Sequence, residues 1–292
     1  MKIFKTLQNT SIYAIIKLKG VVYMKKIAKP KLDLVFKKIF GDVNNVDLLT
    51  DFLSSILDVP FDSIQKVEII DNEVIPDTVE KKFSRLDLLI LVNNEYVNIE
   101  IQVNNYNDYK ERTLFYWAKV YTNQLAKSED YISLQNTIAI NIIDFKLFDC
   151  SECHSSFMIY ETHRHEKLTN KLRIDFLELP KAKENKTNTK LQEWLDFLNV
   201  TTEEGLEMLE KNTVNPTIMH KAVAVVRQMS ADEQLLRAIQ KREETLMNER
   251  SALNSAKQQG IEQGATEKAK SIAERMRAKG YSEQEIKEII GL

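Results

Sequence analysis

Polar and apolar residues alternate with period two along Arg85 to Val92 and again along Glu95 to Gln102, with Asn93-Asn94 between the two runs. That pattern predicts a β-hairpin, because asparagine tolerates the positive φ that a two-residue turn needs. Such a turn sets Asp87 opposite Glu100 and Arg85 opposite Gln102. Leu88, Ile90, Val92, Val97, Ile99, Ile101 and Val103 then share the other face as core. Loop parity is decisive, since a slip of one residue would send the two acids to opposite faces. Directly opposed residues place their Cβ atoms about 4.5–5.5 Å apart, close enough for two carboxylates to share one cation. Pattern alone also permits an amphipathic hairpin whose polar face merely meets water.

Elsewhere the apolar spacing is helical. Leu32, Val35, Phe36, Ile39 and Phe40 predict a first helix stopped by Gly41, and Val46 to Leu57 a second, closed by Pro60. Ile64 to Ile70 reads as a strand or the end of a turn, and Tyr109 to Lys127 as a long helix covering the sheet. Asn136–Phe145, Ser156–Tyr160 and Leu172–Leu179 read as further strands. After Pro180 everything reads as helix: Lys190–Leu198, Thr202–Glu210, Pro216–Met229 and Ala231–Lys257. Gly260 and Gly264 are expected to interrupt the tail as a flexible joint. Gly280 suits a helix C-terminus, and Ser282 with Glu285 forms a capping box. The expected architecture is α/β: a central mixed sheet flanked by helices, then an all-helical C-terminal region. The expected divisions are an extension at 1–23, a core at 24–182, a helical region at 183–258 and a helical hairpin at 259–292. A purine-rich back-translation before Met24 makes that residue an alternative start, which N-terminal sequencing of native protein tests.

Composition narrows the classes. The 292 residues are 29% charged and 43% hydrophobic with a net charge of −2, which argues against a wholly basic nucleic-acid coat. The sign is uneven: ten lysines face only Asp33 within the first 38 residues. They could meet backbone phosphates, although such runs are more often solvated ends. No apolar run approaches the roughly 20 residues of a membrane helix. Two cysteines without an export signal point to a reducing cytoplasm.

Cys150-Ser151-Glu152-Cys153-His154 spells the haem-attachment pattern C-x-x-C-H, and His163 with His165 could complete a zinc set. Haem attachment would call for export and a distal ligand, neither of which can be placed, the zinc spacing departs from finger patterns, and chance is the leading account. Asp87 followed by Glu100-Ile101-Gln102 spells D…E-x-Q. Two such carboxylates suit a hard divalent ion such as Mg²⁺. On the helix from Tyr109, Leu114, Trp117, Tyr121 and Leu125 are the default core stripe, and Arg112 or Gln124 could face the acids or a phosphate.

Beyond that skeleton, three further stretches matter: Lys31-Leu32-Asp33-Leu34-Val35-Phe36-Lys37-Lys38-Ile39-Phe40-Gly41-Asp42, Arg85-Leu86-Asp87-Leu88, and Phe176-Leu177-Glu178-Leu179-Pro180-Lys181. Together with Asn98-Ile99-Glu100-Ile101-Gln102 they resemble the Rpn family of recombination-promoting nucleases, also labelled PD-(D/E)XK nuclease family transposases. The resemblance runs from about Lys25 through the helical tail. It implies a restriction-endonuclease-like core and a bacterial, Mg²⁺-dependent DNA endonuclease. Asp87 and Glu100 would be the metal ligands, Gln102 the third catalytic position, and Asp33 an auxiliary. Gln102 stands where the restriction-type motif carries lysine, and an amide can neither hold positive charge nor act as a base. Pro76-Asp77 spells the superfamily's dipeptide but sits in a polar loop with no fixed distance to Glu100, so Asp87 is preferred as the leading acid. DNA is the expected partner, with a homodimer through the C-terminal helices. The alternatives are a strand-transferring transposase and a binding module that has lost turnover.

Overall fold

A computed structural model describes residues 26–70, 87–106, 108–126, 129–184 and 189–290. Pro76-Asp77, Arg85 and the stretch 1–23 therefore lie outside the described residues. Among those described, six strands form one mixed sheet in the order β1-β2-β3-β4-β6-β5. They are β1 (Val67–Ile70), β2 (Leu88–Val92), β3 (Glu95–Gln102), β4 (Thr137–Ile143), β5 (His154–Phe157) and β6 (Leu172–Glu178). β3, β4 and β6 run parallel, and β1, β2 and β5 are antiparallel to their neighbours. The helices are α1 (Asp33–Phe40), α2 (Val46–Leu57), α3 (Tyr109–Thr122), α4 (Leu179–Glu184), α5 (Lys190–Asn199), α6 (Glu203–Asn212), α7 (Pro216–Ala231), α8 (Glu233–Ala278) and α9 (Glu283–Ile290).

The hairpin forms as its sequence dictates. Asn93 and Asn94 take φ of 46° and 73°, and Leu88 pairs with Ile99 and Val92 with Glu95. Asn93 also binds the approach to β1: its Oδ1 accepts from Gln65 and Lys66 N–H at 2.9 and 3.1 Å, and its Nδ2 donates to Ser63 O at 2.7 Å. Leu88, Ile90, Val92, Val97, Ile99 and Ile101 enter the main core as expected, while Val103 stays half-buried. Much of the opposite face is covered, because α3 roofs it. Leu89, Asn98 and Glu100 are buried there, with Val120 of α3 against Leu89.

The main core lies on the face away from α3. Phe36 and Phe40 of α1, Phe52 of α2 and Trp194 and Phe197 of α5 form its aromatic centre, with ring centroids 4.7–6.4 Å apart. Trp194 Nε1 donates to the buried Asp51 at 2.8 Å, and Asp51 also meets Lys190 at 2.7 Å. Helices α5, α6 and α7 pack their apolar sides into this same core as α1 and α2.

α2 keeps the expected span Val46–Leu57, with Asp58 at a left-handed φ of 56° as its C-cap. Several other boundaries differ from the expectation. α3 stops at Thr122, and β5 begins at His154 because it pairs with β6 through Leu177. The largest difference is α8, which runs unbroken through Gly260 and Gly264 for 46 residues, about 69 Å at 1.5 Å per residue. Good helix formers on both sides carry it past the two glycines. Gly280 (φ 89°) ends the helix region, and the Ser282–Glu285 capping box forms with reciprocal bonds of 2.8 and 3.3 Å. No helix among the described residues is long and apolar enough to cross a membrane.

A Cβ at Gly260 or Gly264 would meet nothing within 4 Å, so packing demands neither glycine. Gly260→Ala and Gly264→Ala are each expected to strengthen α8 by about 0.5–1 kcal/mol. Circular dichroism melting of the single and double variants checks this; a loss of helicity in either would show that the joint matters.

Candidate active site

The acids meet where β2 begins and β3 ends. Glu100 lies at the sheet position that register assigns opposite Asp87, and the two touch: Asp87 N–H donates to Glu100 Oε1 at 3.3 Å. In return, Asp87 Oδ2 accepts from the Ile101 N–H at 2.9 Å. Asn98, two residues before Glu100 on the same face, donates its Nδ2 to Glu100 Oε1 at 3.4 Å. Its own Oδ1 is buried without a partner in the protein.

Glu100 pays most for this placement. Glu100 is only 7% exposed, and burial, followed by the negative charge of Asp87, pushes its carboxyl from an ordinary 4.5 up to about 8. Arg112 pulls in the opposite direction without winning.

Cations converge on the acids from three elements. From α1, Lys37 Nζ reaches Asp87 Oδ1 at 2.9 Å. From α3, Arg112 lies over the rings of Tyr116 and Tyr109, 5.2 and 5.9 Å from their centroids, with its Nε unpartnered in the protein. From α8, Arg242 grips both oxygens of Asp33 with contacts of 2.7–3.2 Å. These residues line a cleft of ≈ 260 Å³ with Gln102, Val103 and Leu246. A second cleft of ≈ 680 Å³ shares Asp33, Lys37, Asp87 and Arg242 with it and extends toward Val43 and Ile70.

Asp87, Glu100, Gln102, Asp33 and Arg112 line one cleft. Gln124 does not. Its side chain is tied to Thr137 Oγ1 and the Gln135 N–H, both at 2.7 Å, at the start of β4, whereas the acids lie level with its other end. Gln102 lines the cleft, but its Nε2 donates to Asn104 O at 2.9 Å. Lys37 and Arg242 escaped the sequence reading. Lys37 had a signal, its four-residue spacing from Asp33 on one helix face. Arg242 had none, lying 209 residues from the acid it binds.

The cysteine motif assembles nothing metallic. Cys150 is exposed, His154 Nε2 is engaged with Asp175 at 2.8 Å, and His163 and His165 lie exposed. Among the described residues no group of three or more His, Cys, Asp or Glu could hold a metal. Mg²⁺ needs no such group, since one or two carboxylates suffice when water and phosphate fill the other positions. The Asp87–Glu100 pair fits that donor set, and its mutual repulsion is what a divalent cation relieves.

A search of curated proteins and a search of solved structures gave no significant match. The family model for the PD-(D/E)XK nuclease family transposases matches residues 30–256, from just before α1 to well inside α8, and the chain belongs to that family.

Proposed function

We propose that this protein is a divalent-metal-dependent DNA endonuclease that hydrolyses phosphodiester bonds through Asp87, Glu100 and Gln102. The observation that carries this reading is the opposed carboxylate pair, with Glu100 buried, in a cleft that Lys37, Arg112 and Arg242 also line. Family membership supports a nuclease or transposase-related role.

Asp87 and Glu100 would hold Mg²⁺. When bound, the ion polarises the scissile phosphate and makes an attacking water more acidic. The chain's own groups set the rest. The Ile101 N–H fixes one Asp87 oxygen, so the carboxylate presents a defined edge to the cleft. Asn98 orients Glu100 from behind. Arg112 can contact a phosphate oxygen from the α3 wall while its ring contacts keep the guanidinium flat. Gln102 can orient water through its free carbonyl oxygen but cannot take its proton. Asp33 lies at the cleft edge, neutralised by Arg242, and its role is to hold that edge. The exposed distal half of α8 is the surface through which two copies would pair for double-strand cutting.

Nicking of supercoiled plasmid by the purified chain with Mg²⁺ tests this reading. Asp87→Ala and Glu100→Ala should each lower the rate by about a thousandfold or more, the equivalent of several kcal/mol of lost charge stabilisation. Gln102→Ala should cost less. Nicking that survives in both acid variants, or is absent from the wild type, would sink the endonuclease in favour of a binding module.

Stability should report the same pair without catalysis. Glu100 binds its proton more tightly folded than unfolded, so its contribution is fully present below about pH 4.5 and is lost as pH rises toward about 8. In EDTA, thermal unfolding should therefore shift downward across that window. Glu100→Gln should remove this portion of the slope, and Mg²⁺ should restore stability to the wild type at the alkaline end. A wild-type slope unchanged by Glu100→Gln would refute the assignment.

A further inference from the structure

The E-x-Q spelling of β3 leaves the site without the ammonium of the restriction-type motif, yet the cleft is not short of one. We propose that Lys37, delivered by α1, is a catalytic residue that sets a fixed positive charge on the scissile phosphate. This rests on the nuclease reading above and names a residue outside the D…E-x-Q skeleton.

Geometry separates Lys37 from the other cations. Arg242 is gripped on two sides by Asp33, and Arg112 lies across the cleft over two tyrosine rings. Gln102 turns its amide nitrogen to Asn104 O. Lys37 Nζ sits at 2.9 Å from Asp87 Oδ1 with its side chain 34% exposed, and it borders both connected clefts. An ammonium has three donors, and the bond to Asp87 uses one, leaving two for non-bridging phosphate oxygens. Negative charge grows on the phosphoryl group as water attacks and the leaving oxygen departs. Beside two carboxylates that charge is costly unless a preorganised cation faces it. The next residue, Lys38, is exposed and provides an internal control.

The test uses the full-length chain with Mg²⁺ and supercoiled plasmid, comparing Lys37→Met, Lys37→Arg and Lys38→Met, with circular dichroism melting to confirm folding. Mg²⁺ binding is measured separately by calorimetry. Lys37→Met is expected to lower kcat about a hundredfold, in the range of one lost charge-stabilising donor. Its Mg²⁺ affinity should equal or exceed the wild type, because Asp87 loses a competing ammonium. Lys37→Arg should recover at least a tenth of the rate, and Lys38→Met should cut normally. Lys37→Met cutting within threefold of the wild type would overturn the proposal, as would its losing Mg²⁺ affinity along with turnover, which would make Lys37 a support for the acids. A wild type that cuts while Glu100→Gln does not secures the nuclease reading independently of Lys37. A wild type that fails to cut overturns both.

Discussion

Two carboxylates held against each other beneath a helix are the constraint to which this molecule answers. Asp87 and Glu100 face one another across a β-hairpin, and Glu100 is almost fully removed from water. A fold built only for stability would place apolar residues there, since desolvating one acid beside another costs free energy that no protein contact fully returns. The surroundings soften the cost without removing it. Arg112 and Asn98 favour an ionised Glu100, and burial still wins there.

The hairpin can hold the pair only because everything around it is buried on both faces. On one side Ile90, Val97 and Ile99 join the aromatic centre built by α1, α2 and α5, and on the other Leu89 meets α3. Register is fixed twice: by the positive φ of Asn93 and Asn94, and by a slip that would exchange Ile99 with Glu100 between faces. Asn93 adds a third fixation, because its side chain ties the turn to the chain entering β1. Glu100 inherits the rigidity of the sheet, and Asp87, one residue before β2, is tied to β3 through Glu100 and the Ile101 N–H, which is what a preorganised site needs.

What could be read in the sequence was local in period or in pairing. Alternation, the Asn-Asn turn and loop parity gave the hairpin and the facing acids, and 3.6-residue spacing gave α1 and α2 nearly to the residue. The helix expected to cover the sheet does so: α3, with Tyr109, Thr113 and Val120 inward, lies over the polar stripe that pattern alone left open to solvent. Distant relations failed. Gly260 and Gly264 read as a break, yet two isolated glycines cost too little to stop a 46-residue helix. Gln124 had the right chemistry on the wrong end of its helix. Arg242 reaches Asp33 through tertiary packing alone, and no periodic signal encodes that.

Arg242 also changes what the helical tail is for. The first turns of α8 cross the rim of the cleft: Glu243 meets Lys29 at 2.6 Å, Arg242 holds Asp33, Glu249 accepts from Asn104 at 3.2 Å, and Arg250 donates to Val103 O at 3.3 Å. Lys29 and Asp33 flank the entry to α1, while Val103 and Asn104 follow Gln102 directly. One helix therefore spans the two segments whose separation sets the width of the cleft. Because α1 carries Lys37 as well as Asp33, a grip on Asp33 also fixes where the Lys37 ammonium stands relative to Asp87. Partly exposed ion pairs contribute little to stability singly. Their value here is geometric: several contacts along successive turns of one rigid helix hold α1 and the end of β3 at one spacing.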